Sequence, residues 1–247
     1  MYYTNKDIFI MSSVGCMDTD RDGLNSILAG NQEGADGCCL SVDMTADGIA
    51  VLCSDGYCLS ADGVPMSIGD FTYSELHQAA PQLIPAEQAI DLARTCQSKI
   101  AITVHNQTLL PQLRMTLRHA EYLDNTIFIG LGLVEAARIA AANPDLHIMG
   151  ELPAIPDNIS ELVHATQTTG LFGLRASAKD LTTPLIDKCR RAGLFTMSLP
   201  TSQERTLSEL IHKGVNFIET ARPDIAFLAM PGPPLAPRQL PMSRYDM

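Results

Sequence analysis

The chain is predicted to fold as one α/β domain, a closed (β/α)8 barrel. Three observations predict it. Short β-rich runs alternate with amphipathic helical stretches, glycines stand where helix gives way to strand, and 46% of the 247 residues are hydrophobic, enough for one large core. Alternation of this kind calls for right-handed crossovers and a parallel sheet.

The runs at 100–104, 126–131, 147–152, 171–174, 194–198 and 216–220 read as strands. Adding 8–12 and 38–42 gives eight, the number that closes a barrel. Helical stripes lie between them: Leu109, Leu113 and Leu117; Ile159, Leu162 and Val163; Leu185, Ile186 and Cys189; Leu207, Leu210 and Ile211. Gly170, Gly193 and Gly214 stand at helix ends, the last two behind Arg190, Arg191, His212 and Lys213, whose charges suit a helix C-terminus. Residues 54–85 break the rhythm, with turn signals at Asp62, Gly63 and Pro65 and a short helix over 73–80, and read as an insertion at the barrel mouth. The barrel domain is therefore 1–228 with that insertion. Residues 229–247 form a tail whose Pro231, Pro233, Pro234, Pro237 and Pro241 sustain neither helix nor central strand.

Charge and cysteine usage narrow the function classes. A net charge of -11 repels a nucleic-acid backbone. No apolar run is long enough to span a bilayer, and residues 1–6 lack the pattern of a secretory leader, so a soluble cytoplasmic protein is expected. Seven cysteines without CxxC spacing argue for reduced thiols over a disulfide framework or a structural zinc site.

Four ordered blocks carry a resemblance. Gly34-Ala35-Asp36, followed by Val42, Thr45, Asp47-Gly48, Val51 and Asp55, is similar to the second-strand block of the glycerophosphodiester phosphodiesterase family. Asp70 to Leu76 resembles its Asp-x-Thr-x-x-Glu-Leu helix start, and Ile84-Pro85 through Leu92 its Ile-Pro-Thr-Leu-Glu-Glu block. Gly214 to Asp224 resembles its last-strand pattern, so the matches run from about Asp7 to Phe227. The resemblance implies a TIM barrel of the phospholipase-C-like phosphodiesterase type, a place in lipid metabolism, and phosphodiester hydrolysis with a carboxylate-bound Mg or Ca ion and two histidines as acid and base.

The positions that would carry this chemistry are replaced. The family's first histidine falls on Ser13 and its second on Ser54, leaving Asp55 beside it. The metal-binding Glu-x-Asp falls on Cys39 and Ser41, and the third-strand Glu on Thr103, so no metal ligand and no catalytic residue survives by motif. Alternation points Cys39 and Ser41 into the barrel. Asp43 is read as a loop residue off the ligand position, and the Trp-Thr of the seventh strand falls near Ser198-Leu199.

What remains polar at the strand ends is His105, Glu151, Arg175 and Asp55. His105 reads either as an acid or base or, preferably, as a residue filling the space of the family's lysine and bonding a neighbour. Asp55, Glu151 and Arg175 read as a charged ring holding an anion or metal, or preferably as mutually satisfied salt bridges. Cys39, Cys53 and His105 offer soft-metal chemistry, with small buried thiols the plainer reading.

Three functional readings follow. The first is a barrel that has lost metal-dependent hydrolysis and serves in binding or regulation, with no cofactor and a small anionic or phosphate-containing ligand. The second is an active phosphoric diester hydrolase with a rearranged site built on Asp55, His105 and Glu151, the one case that requires Mg or Ca. The third is an interaction module whose tail contacts a neighbour, a second copy of the chain included.

Overall fold

The structure is a computed structural model and describes residues 7–230. The proline-rich stretch from residue 231 onward, and with it the expected tail, lies outside the described residues. The strands are β1 (Phe9–Ser12), β2 (Gly37–Met44), β3 (Ala50–Leu52), β4 (Tyr57–Leu59), β5 (Pro65–Ser67), β6 (Lys99–Val104), β7 (Thr126–Gly132), β8 (His147–Glu151), β9 (Gly173–Ala176), β10 (Phe195–Ser198) and β11 (Phe217–Thr220). The helices are α1 (Leu24–Gln32), α2 (Tyr73–Ala79), α3 (Ala86–Thr95), α4 (Leu110–His119), α5 (Leu133–Ala142), α6 (Ile159–Thr168), α7 (Thr183–Arg191), α8 (Glu204–Lys213) and α9 (Pro223–Leu228).

The ring runs β1, β2, β6, β7, β8, β9, β10, β11 and returns to β1, all pairings parallel, so the eight expected strands close the barrel. β3 adds antiparallel to the end of β2. The strands bury both faces, as a parallel barrel requires, and alternate residues go to different layers. Cys38, Leu40 and Val42 of β2 join Ile100, Ile102 and Val104 of β6 in the layer packed by helices. Cys39, Ala101, Ile127, Met149, Met197 and Phe217 fill the lumen with Met11, so the barrel is plugged.

Each helix buries the stripe its sequence carries. α8 buries Leu207, Leu210 and Ile211 and ends at Gly214, whose φ of 75° is the left-handed geometry glycine adopts without strain. Gly170 and Gly193 end α6 and α7 in the same conformation. β9 begins two residues later than expected. Gly173 must lie in the strand itself, because a Cβ there would stand 2.1 Å from the Phe195 carbonyl oxygen of β10.

The insertion sits between β3 and α3 and has its own core of Val51, Cys53, Ile68, Leu76 and Leu83 beneath the β4–β5 hairpin. Its helix α2 opens with a capping box, Thr72 and Glu75 bonding each other's backbone N–H. No helix among the described residues is long and apolar enough to cross a membrane.

Candidate functional site

The C-terminal ends of barrel strands form the mouth, where loops gather and polar side chains replace the apolar plug. The lumen parity of β1 runs Phe9, Met11, Ser13; that of β2 runs Cys39, Ser41, Asp43; that of β11 runs Phe217, Glu219. Because β2 extends through Met44, Asp43 is a strand residue on the same side as Cys39 and Ser41, not a loop residue.

One ionic bridge crosses the mouth. Arg175 on β9 donates from Nη1 to Glu151 Oε2 on β8 at 2.7 Å and from Nη2 to Glu219 Oε2 on β11 at 2.7 Å. The Arg175 and Glu219 side chains are 9% and 6% exposed, while Glu151 is 31% exposed. Burial works against the arginine's charge, but the Glu219 and Glu151 carboxylates together outweigh it and hold the guanidinium charged above its ordinary range. Arg175 Nε is buried with no hydrogen-bond partner. Cys39 lies beside this bridge; burial first, and then the Glu219 charge, push its thiol well above the ordinary value. It is a neutral thiol, neither nucleophile nor thiolate ligand.

Of the other positions the sequence resemblance marks, Ser41 and Ser54 are held in local bonding. Ser41 Oγ lies 3.0 Å from His105 Nε2, joining β2 to the loop after β6. Ser54 donates from its backbone N and its Oγ to the two carboxylate oxygens of Asp22, at 3.2 and 2.6 Å. Arg21 reaches Asp55 at 3.4 Å, both side chains exposed. These contacts clasp the loop after β1 to the start of the insertion. Ser13 Oγ is buried and has no partner, and Thr103 is half-buried on β6 opposite Ser41.

The expected ring of Asp55, Glu151 and Arg175 thus divides. Glu151 and Arg175 meet, Asp55 pairs with Arg21 on the rim, and the third member of the bridge is Glu219. That residue carried a signal: it is a carboxylate inside the buried strand Phe217-Ile218-Glu219-Thr220, where charge occurs only with a partner. Among the described residues no group of three or more His, Cys, Asp or Glu side chains is placed to hold a metal ion, and Cys39 and Cys53 are buried free thiols, the plainer of the two readings of that pair. Cys53 Sγ instead faces the Tyr57 carbonyl oxygen at 3.5 Å.

Comparison with solved structures turns on the whole barrel. The chain has the fold of the glycerophosphodiester phosphodiesterases. The enzyme from Agrobacterium tumefaciens superposes with a TM-score of 0.73 at 16% identity, covering 89% of this chain and 98% of that one. The one from Thermotoga maritima gives 0.72 at 14%, covering 91% and 98%. An Oleispira antarctica phosphodiesterase, solved in complex with the product sn-glycerol-3-phosphate, gives 0.73 at 18%, covering 90% and 96%. No family model matches the chain, and no curated protein matches it. The divalent ion that this fold family implies does not fit the residues present. A neutral thiol, a hydroxyl bonded to histidine and a threonine stand at the positions the sequence resemblance marks for ligands, and Glu151 and Glu219 already hold a guanidinium.

Proposed function

We propose that the chain is a glycerophosphodiester phosphodiesterase-like barrel that binds a small phosphate-containing ligand at its mouth and acts in binding or regulation, without metal-dependent phosphodiester hydrolysis. The observation that supports this reading above others is the Glu151–Arg175–Glu219 bridge. Hydrolysis of a phosphodiester needs charge neutralisation at the phosphoryl oxygens, an oriented nucleophile and a proton for the departing alkoxide. Arg175 supplies no net positive charge, being opposed by two carboxylates. A phosphate-bearing ligand, of the class the Oleispira protein holds, would be met at the rim by His105 and by Arg21, taking the place of Asp55 in the exposed Arg21 pair. The same reading keeps the protein in the cytoplasm, with its thiols reduced.

The Ser41–His105 contact favours one second reading, an active hydrolase in which His105 takes or gives a proton. Asp55 and Glu151, the other groups that reading calls on, are engaged with Arg21 and Arg175. Assays of glycerophosphodiester hydrolysis with Mg, Ca and Mn separate the two. The binding reading expects no turnover above a blank, together with calorimetric binding of glycerol 3-phosphate in chelator that weakens in His105→Ala. Metal-dependent turnover that disappears in His105→Ala supports the second reading instead.

A further inference from the structure

We propose that the insertion is a docking surface for a partner protein, and that the segment it takes is both apolar and basic, with Lys or Arg beside large apolar side chains. The inference does not depend on what the mouth binds.

Exposed apolar area is concentrated at the insertion. Among the described residues, five of the eight large apolar side chains left exposed are Ile49, Tyr57, Leu59, Val64 and Phe71. In the β4–β5 hairpin, Cys58 and Met66 turn inward onto the insertion's own core, and alternation sends Tyr57, Leu59 and Pro65 to the opposite side. Tyr57 and Leu59 are 46% and 50% exposed there, and Val64, at the hairpin turn, is 57% exposed. Phe71 is tied to the turn that carries Ile49, since its carbonyl oxygen accepts from the Ala46 N–H at 2.8 Å. Scattered apolar side chains on a surface are ordinary, but their gathering on one small element marks an interaction face.

The charge around this face is of one sign. From Asp22 through Ala93 no Lys or Arg occurs, and the eleven Asp and Glu in that stretch equal the chain's whole net charge of -11. Three of them share one local setting. Asp47-Gly48-Ile49, Asp55-Gly56-Tyr57 and Asp62-Gly63-Val64 are turns whose glycines have φ of 81°, 79° and 76°, and each sets a carboxylate two residues ahead of an exposed apolar side chain. Asp70 stands directly before Phe71 in the same manner. Among the described residues the cation that pairs with one of these four is Arg21, on Asp55.

Charge then selects the occupant. An anionic bilayer or a nucleic acid is repelled by such a surface. Two copies meeting through the same face would set acid against acid. An apolar segment that carries Lys or Arg covers the hairpin face and meets a carboxylate next to each apolar position, so the two halves of the patch are satisfied together.

The test is fluorescence anisotropy of two labelled peptides of equal length, one of Leu and Lys and one of Leu and Glu, titrated with the full-length protein. The Leu–Lys peptide is expected to bind, and to weaken at least ~10-fold between about 0.05 M and about 0.5 M NaCl; the Leu–Glu peptide is expected not to bind. Tyr57→Ser, Leu59→Ser and Val64→Ser combined should weaken binding at least ~10-fold at both salt concentrations. Asp62→Asn with Asp70→Asn should weaken it at low salt, while Glu135→Gln with Asp157→Asn, acids equally open to water elsewhere, leaves it unchanged. Should the triple serine variant lose its cooperative unfolding transition, Val64→Ser alone replaces it, and binding as tight as wild type there opposes the proposal. Equal binding of both peptides, binding indifferent to the serine substitutions, or an equal loss in the control pair overturns the inference. So does wild-type self-association, or sedimentation with phosphatidylcholine vesicles, that the serine substitutions abolish, because the face would then belong to a second copy or to a membrane.

Discussion

At Arg175 one guanidinium joins a nearly enclosed carboxylate, Glu219, to a half-open one, Glu151, and the difference in exposure predicts unequal costs. Glu219→Gln leaves a buried charge short of its better partner and should destabilise by about 3 kcal/mol, the low end for a broken buried pair because Glu151 remains. Glu151→Gln should cost about 1 kcal/mol or less, its side chain being partly in water. Urea unfolding of the two variants checks the order; equal effects would mean that burial does not set the strength of this bridge. The pairing of Glu151 with Arg175 was readable in the sequence, since both end adjacent strands. Glu219 was readable in principle, as a charge in an apolar strand, but its reach across β10 to Arg175 depends on barrel curvature. Asp22 was less accessible still: its bond to Ser54 joins two loops, and nothing in local spacing pairs them.

Among the elements, β9 and β8 carry the sharpest expectations. Gly173→Ala places a methyl group 2.1 Å from the Phe195 carbonyl oxygen, a backbone atom that cannot rotate away. Overpacking of this kind costs about 1–3 kcal/mol or more, and the variant should accumulate as insoluble protein while Gly132→Ala, with open space around its Cβ and an ordinary φ of -59°, stays soluble. On β8, His147 packs tilted against Phe172, ring centroids 4.5 Å apart, and burial lowers its pKa below the ordinary 6.5. With the folded-state value depressed, the unfolded chain binds the proton first as pH falls below about 6.5, so stability drops there. His147→Phe should flatten that drop, which chemical denaturation at pH 7.5 and 5.5 would register; an unchanged drop would assign it to other groups. Strand positions and the glycine stops were legible because period and left-handed backbone are local properties. The helices α1 and α5 were not singled out. α5 buries small residues, Ala136 and Ala140, with Ile139, and so presents a weak stripe despite strong helix propensity.

For the molecule as a whole, the barrel keeps an apolar lumen, a ring of helices and an insertion with its own core, while the mouth is wired internally by Glu151–Arg175–Glu219, Ser41–His105 and Asp22–Ser54. The architecture was legible from alternation and four ordered blocks. Ser13, Cys39, Ser41, Ser54 and Thr103 could be singled out from the sequence, but not the partners of Ser41 and Ser54, because His105 and Asp22 come from elements distant in the chain. Crystals of the protein soaked in Mn2+, measured for anomalous scattering, address the mouth directly. The account predicts no manganese between β8 and β11, with the Arg175 guanidinium bridging Glu151 and Glu219. A manganese peak bound by those carboxylates, with Arg175 turned aside, would contradict it.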